Sequence, residues 1–393
     1  MHATRIRWQQ RAVFVLGGIS IGAVAVGFAK IADYAQREFA GVLEHNRLWP
    51  IVITPLGFAV SVFAANRCAA LGKILLTSFG LLCGASTGRE GPTVQVGAAL
   101  MFTAGRLSPR KQTGLIVAGA AAGIAAAFNT PIAGIIFGIE ELTRTFERRT
   151  SGLVVSTVVA AGSVSLVLLG NYTYFGTSAG TLQGLQAWLA MPLCGVLGGL
   201  LGGYFARLVV YVATQSYLWP AAYAREHPVA FAAWCGLAVA ICGLVSGNST
   251  YGTGYDQVKN ALDGSVPLGI LYMPLKFIAT VCSSLSGIPG GIFSPSLAIG
   301  AGVGAEIARF FSSVDVGAMM LLGMVAYLTG VVQAPITAFV IVTELTNNRA
   351  MLMPLMITAL IAYGTARLVC PDGVYHALAR NMLSGITADK TAV

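Results

Sequence analysis

The chain has 393 residues, 56% hydrophobic and only 10% charged, with a mean hydropathy of +0.75. A water-soluble domain carries about 25% charged residues, so a soluble globule is excluded. The 24 Lys and Arg against 15 Asp and Glu give +9, but the basic residues lie at the ends of apolar runs and in short loops, without interleaved aromatics, which argues against nucleic acid and for topology signals and lipid-headgroup contact.

Apolar stretches of about 20 residues, enough to cross a bilayer, recur from Ala12 to the neighbourhood of Leu368. They predict an all-α, multi-pass membrane protein with one transmembrane domain over 1–393. At the start, Arg5, Arg7 and Arg11 precede an apolar run. No small-residue cleavage site follows, so this reads as a first transmembrane helix beginning in the cytoplasm rather than as a secretory signal. Farther along, Gly88-Arg89-Glu90-Gly91-Pro92 interrupts apolar surroundings, and a span from Pro131 to Leu142 carries Glu140 and Glu141 before Arg144, Arg148 and Arg149. Gly195, Gly199 and Gly203, at i,i+4 spacing, predict close helix packing. Gly291-Ile292-Phe293-Ser294-Pro295 interrupts a second apolar region; Glu306 beside Arg309 reads as a helix-end pair. Tyr375 lies just past the last span, where an interfacial aromatic is common, and the tail from Asn381 to Val393 leaves no room for an appended soluble domain.

The seven cysteines have no C-x-x-C spacing and read as buried small hydrophobes. His2, His45, His227 and His376 are scattered outside the apolar runs, so no metal site and no cofactor is expected. No H-E-x-x-H, G-x-S-x-G or P-loop is present, which argues against an intramembrane hydrolase and ATP-driven transport.

The two interrupted segments match each other at an offset of 203 residues (291 − 88), and Lys73 and Thr77 fall on Lys276 and Thr280 at the same offset. Asn129-Thr130-Pro131-Ile132-Ala133 matches Gln333-Ala334-Pro335-Ile336-Thr337 at 204, and Glu140 then falls on Glu344. The chain is therefore read as two related halves, 1–185 and 186–393. Three arginines follow the span of the first half, against Arg349 alone after Pro335–Leu345, so the halves are expected in opposite orientation. Inverted halves with broken segments at corresponding positions are the pattern of a transporter with its site at the midplane.

Non-helical backbone at membrane depth must be buried in protein or line a cavity. In each broken segment a proline sits in the first turn of a new helix, where its missing N–H costs nothing. Each is read as a helix N-terminus aimed inward, able to bind an anion through free amides and the dipole. A glycine hinge with proline kinks is the alternative. Glu90 is itself an anion at such a terminus: it can plug the amides and, by protonating, carry a proton. A capping carboxylate or an ion pair with Arg89 is the other reading. Its counterpart is Phe293, so the fold does not require an acid there. Glu140, four residues before Arg144, is read as a structural i,i+4 pair. Glu141, matched by Leu345, is a second asymmetric acid or else an ordinary interfacial carboxylate.

These residues resemble the CLC chloride channel and chloride/proton antiporter family. Gly88-Arg89-Glu90-Gly91-Pro92-Thr93 is similar to its second signature and Gly291–Pro295 to its third. The resemblance implies broken transmembrane helices in an inverted repeat, a homodimer, and a bacterial protein of the inner membrane lacking the cytoplasmic regulatory module. It implies that Glu90 is the external gating glutamate, Glu141 the internal proton-transfer glutamate typical of exchangers, and Tyr375 a hydroxyl ligand of the anion. Gly88, Arg89, Gly91, Gly291, Ile292 and Phe293 would supply the anion site. Chloride and protons are the implied substrates, with proton-coupled antiport expected and a passive, voltage- or pH-gated channel as the alternative.

The family's first signature, a Gly-Ser-Gly-Ile-Pro loop whose serine contacts the anion, should precede Lys73, but the chain reads Asn66-Arg67-Cys68-Ala69-Ala70-Leu71-Gly72. That leaves chloride, nitrate and fluoride open. Asn248 and Lys276 are 28 positions apart, Asn66 and Lys73 only 7, and seven residues reach at most about 25 Å. An omitted segment is therefore expected, marked by a Cα step well above about 3.8 Å between Asn66 and Leu71.

Overall fold

In the computed structural model the described residues are 2–65, 70–105, 112–143, 148–170, 173–214, 220–311 and 313–381. The helices, in order, are α1 (His2–His45), α2 (Pro50–Ala65), α3 (Ala70–Leu82), α4 (Glu90–Gly105), α5 (Gln112–Phe128), α6 (Pro131–Phe137) and α7 (Arg148–Leu169). They continue as α8 (Gly184–Thr214), α9 (Ala221–Glu226), α10 (Pro228–Val245), α11 (Tyr255–Leu262), α12 (Tyr272–Leu285), α13 (Phe293–Ala308), α14 (Val316–Val332), α15 (Pro335–Thr346) and α16 (Leu352–Val369). A π-helical turn, Gly138–Thr143, extends α6. Among the described residues five helices are long and apolar enough to cross a membrane, Arg11–His45 being one. At 1.5 Å per residue that one is about 50 Å long, more than the roughly 30 Å hydrocarbon core requires. Several others, such as Val316–Val332 and Pro335–Thr346, are apolar but shorter.

The correspondence read from sequence has a local physical cause. Asn129 (φ 56°) and Gln333 (φ 60°) both adopt left-handed backbone, and each is followed two residues later by the proline that starts a helix, Pro131 or Pro335. Close approaches repeat as well. A Cβ on Gly97 would lie 2.4 Å from the carbonyl oxygen of Gly119, and one on Gly119 2.3 Å from that of Gly97, so only glycine lets α4 and α5 touch backbone to backbone. Gly300 and Gly323 do the same for α13 and α14, at 2.4 and 2.1 Å. Gly195, Gly199 and Gly203 pack against α16, where a Cβ on Gly199 would meet Ala362 O at 2.6 Å.

The largest core surrounds α13 and α14, whose side chains are buried almost all round, as a helix apolar on every face requires. Among the described cysteines all are free; five are buried and Cys282 is partly exposed, while Cys68 lies outside the described residues. The expected chain step between Asn66 and Leu71 also falls outside them.

In the second half the loop before α11 is organised by Lys276. Its fully buried ammonium donates to Gly252 O at 2.7 Å and Thr250 O at 2.9 Å. Lys73, its counterpart, donates to Gln95 Oε1 at 2.6 Å instead.

Candidate functional site

The two broken segments meet. Gly88 N donates to Gly291 O and Gly291 N to Gly88 O, both at 2.7 Å, an antiparallel pairing that is the only isolated β-bridge among the described residues. In this pairing the N–H groups of Gly88 and Gly291 are committed to each other. Their contribution is to hold the N-termini of α4 and α13 together, with Glu90 at the start of α4 and Phe293 at the start of α13.

Glu90 is fully buried. Its Oε1 accepts a hydrogen bond from Ser294 Oγ, and the backbone N–H groups of Glu90 and Ser294 also face the carboxylate. Oε2 has no hydrogen-bond partner among the described residues. The carboxylate fits only because of the glycines: a Cβ on Gly88 would lie 2.0 Å from Oε2, and one on Gly291 2.9 Å from it. Gly91 is equally confined, its Cβ position 3.0 Å from Gly291 Cα.

Arg89 is not simply the counter-ion of Glu90. Its guanidinium, 5% exposed, donates to Asp33 Oδ1 at 2.9 Å and Ala29 O at 3.3 Å, and sits 5.6 Å from the centroid of the Tyr174 ring. Asp33 and Tyr174 were not legible as site residues, because their approach to Arg89 spans 56 and 85 positions. A cavity of about 400 Å³ opens here, lined by Asp33, Gln36, Arg37, Arg89, Tyr174 and Asp256 among others.

On the other side of the bridge, Phe293 stacks on Tyr375, with ring centroids 6.0 Å apart, and meets Phe137 edge-on at 5.9 Å. Ile292, the residue preceding α13, packs against the main core. Tyr375 is close enough to both Glu90 and Glu141 to feel their charge. Glu141 lies in the π-helical turn, its side chain 5% exposed, with Oε1 3.2 Å from Nδ1 of His376, whose side chain is 29% exposed. A π-turn often marks a functional position. His376, dismissed as a metal ligand from its isolation in sequence, is thus a neighbour of the second asymmetric acid; its place next to Tyr375 was the available signal.

Glu140 has a structural role; its expected partner Arg144 lies outside the described residues. Its carboxylate accepts from Ile336 N at 3.0 Å and Thr337 N at 2.6 Å, capping α15. Glu344 reciprocates, accepting from Ile132 N at 3.2 Å and Ala133 N at 2.7 Å at the start of α6. Glu306 pairs with Arg309 at 3.4 Å. Among the described residues no three His, Cys, Asp or Glu side chains converge to hold a metal. Chemically the site offers amides and hydroxyls at paired helix ends with one competing acid, an arrangement suited to anions and protons.

Residues 65–367 match the family described as voltage gated chloride channel. The H(+)/Cl(-) exchange transporter ClcA of Klebsiella pneumoniae (strain 342) is 30% identical over 441 residues, covering 95% of this chain and 89% of that protein. That aligned length exceeds the 393 residues here, so the relative carries residues this chain lacks. Among solved structures, a CLC-type fluoride/proton antiporter superposes with a TM-score of 0.80 at 20% identity, covering 94% of this chain and 97% of its own. A slow cyanobacterial Cl−/H+ antiporter gives 0.79 at 22%, covering 96% and 98%. These two likenesses establish the all-α CLC transporter fold.

Proposed function

The chain belongs to the voltage gated chloride channel (CLC) family, and on that premise we propose that it is a proton-coupled chloride antiporter, a secondary active transporter rather than an enzyme. The observation that carries this reading is the Glu90 carboxylate, fully buried at the meeting of two helix N-termini and gripped by Ser294 from the other half. A carboxylate there takes the donors a dissolved anion would use. Protonation removes its charge and its hold on them, so anion access and proton uptake become one event. The relative's printed name, an H(+)/Cl(-) exchange transporter, supports the same pair of substrates.

In this reading Glu90 is the gate and the external proton acceptor, and Glu141 the internal proton donor. The anion is held by the N–H groups of Arg89, Gly91, Ile292 and Phe293 and by the Tyr375 hydroxyl, while Gly88 and Gly291 shape the crossing. The cavity beside Arg89 is the external mouth. The halves 1–185 and 186–393 are inverted copies, supported by the reciprocal capping of α15 by Glu140 and α6 by Glu344. The protein works as a homodimer embedded in lipid, in a bacterial inner membrane.

The test is reconstitution into liposomes with an imposed chloride gradient and no proton gradient. Protons driven uphill against chloride movement are expected. Chloride flux without proton movement would replace this reading with the passive channel.

A further inference from the structure

Ser294 is set apart from the rest of the site. Its position corresponds to Gly91 in the first half, so at this position only the second helix end carries a hydroxyl. The side chain is 1% exposed. A serine in the first turn of a helix usually bonds locally to backbone or faces water. Here Oγ instead donates across the junction of the two halves to Glu90 Oε1, a residue 204 positions away. The adjoining Glu90 Oε2 is buried without a hydrogen-bond partner among the described residues, so this one hydroxyl is the side-chain donor that holds the carboxylate in place. The residue after it is Pro295, which has no N–H to offer. When Glu90 swings away, the Ser294 hydroxyl loses its charged acceptor and keeps the neutral Tyr174 hydroxyl within reach, a weaker partner than an arriving anion would be.

We propose that the Ser294 hydroxyl is a shared donor: it positions the Glu90 carboxylate while that side chain is docked at the start of α13, and passes to the transported small monovalent anion when the carboxylate leaves. The inference rests on the reading of Glu90 as the gate. It adds that the gate and the anion compete for one side-chain hydrogen bond as well as for backbone amides. The hydroxyl therefore contributes to anion affinity and, in the opposite sense, to keeping the gate shut.

Chloride affinity, measured by titration calorimetry on the full-length protein in detergent, separates these roles. Glu90→Ala opens the site, and Ser294→Ala on that background removes the hydroxyl while leaving the backbone amide. A tenfold or greater loss of chloride affinity is expected, since a hydrogen bond to a charged acceptor is worth at least about that factor; Ser294→Thr, which retains the hydroxyl, should recover most of it. With Glu90 intact, Ser294→Ala should raise chloride flux at neutral pH several-fold. Should the alanine variant not elute as folded protein, Ser294→Cys, a near-isosteric weaker donor, is expected to fall between. Equal affinities for Glu90→Ala with and without the hydroxyl overturn the shared donor while leaving the gate reading intact. Proton coupling that survives Glu90→Ala overturns the gate reading instead.

Discussion

Gly88 and Gly291 exchange two backbone hydrogen bonds of 2.7 Å across 203 positions of sequence. The pairing clamps two helix N-termini end to end, against the mutual repulsion of their positive dipole ends. A Cβ on Gly291 would lie 2.7 Å from Gly91 N, so Gly291→Ala must push α4 and α13 apart. A destabilisation of about 1–3 kcal/mol, typical of overpacking, is expected as an earlier thermal transition in detergent, with reduced anion flux. An unshifted transition would mean that the bridge is dispensable.

Glu90→Gln retains the size of the side chain but cannot ionise. Proton movement should disappear while chloride flux persists. Parallel chloride-electrode and pH-electrode records on the same proteoliposomes check this, and coupled proton flux in the variant removes Glu90 from the mechanism.

Chloride flux should rise as external pH falls. The sign follows from charge: the ionised carboxylate competes with chloride for the same donors, and the protonated one does not. The groups around Glu90 that share in setting this profile are Arg89 with its partner Asp33, Tyr174, Tyr375 and Ser294. A profile that is flat in wild type, measured at fixed internal pH, argues against the plug.

Glu141→Gln should stop proton transport and leave a chloride leak, because the anion does not need the internal acid. His376→Gln, which removes the ring beside that acid, should slow proton movement without abolishing chloride flux. Proton-to-chloride ratios in liposomes distinguish the two variants, and wild-type ratios for both would show that the acid and its neighbour lie off the proton route.

Lys276→Met should be destabilising, since it strips the carbonyls of Thr250 and Gly252 of a buried charged donor. About 1–3 kcal/mol per orphaned group is the expected scale, read as a lower thermal transition. Lys73→Met, which among the described residues loses a bond to the side chain of Gln95, should have the smaller effect.

The membrane class, the two broken segments and their correspondence were legible in the chain because they rest on local physics. Apolar length sets what crosses a bilayer, and glycine next to a proline in a first turn marks a helix start wherever it occurs. Glu90 and Glu141 stood out for a similar reason, as acids in apolar surroundings with no acid at the matching position. Partners were not legible, because contacts across about 200 positions depend on how the halves cross. Gly88 and Gly291 pair their amides with each other, and Glu140 caps α15. Asp33, Tyr174 and His376 became visible only once helices distant in sequence were packed together. Ser294 is the sharpest case: within its own helix it is an ordinary first-turn serine, and only the tertiary crossing turns its hydroxyl toward Glu90.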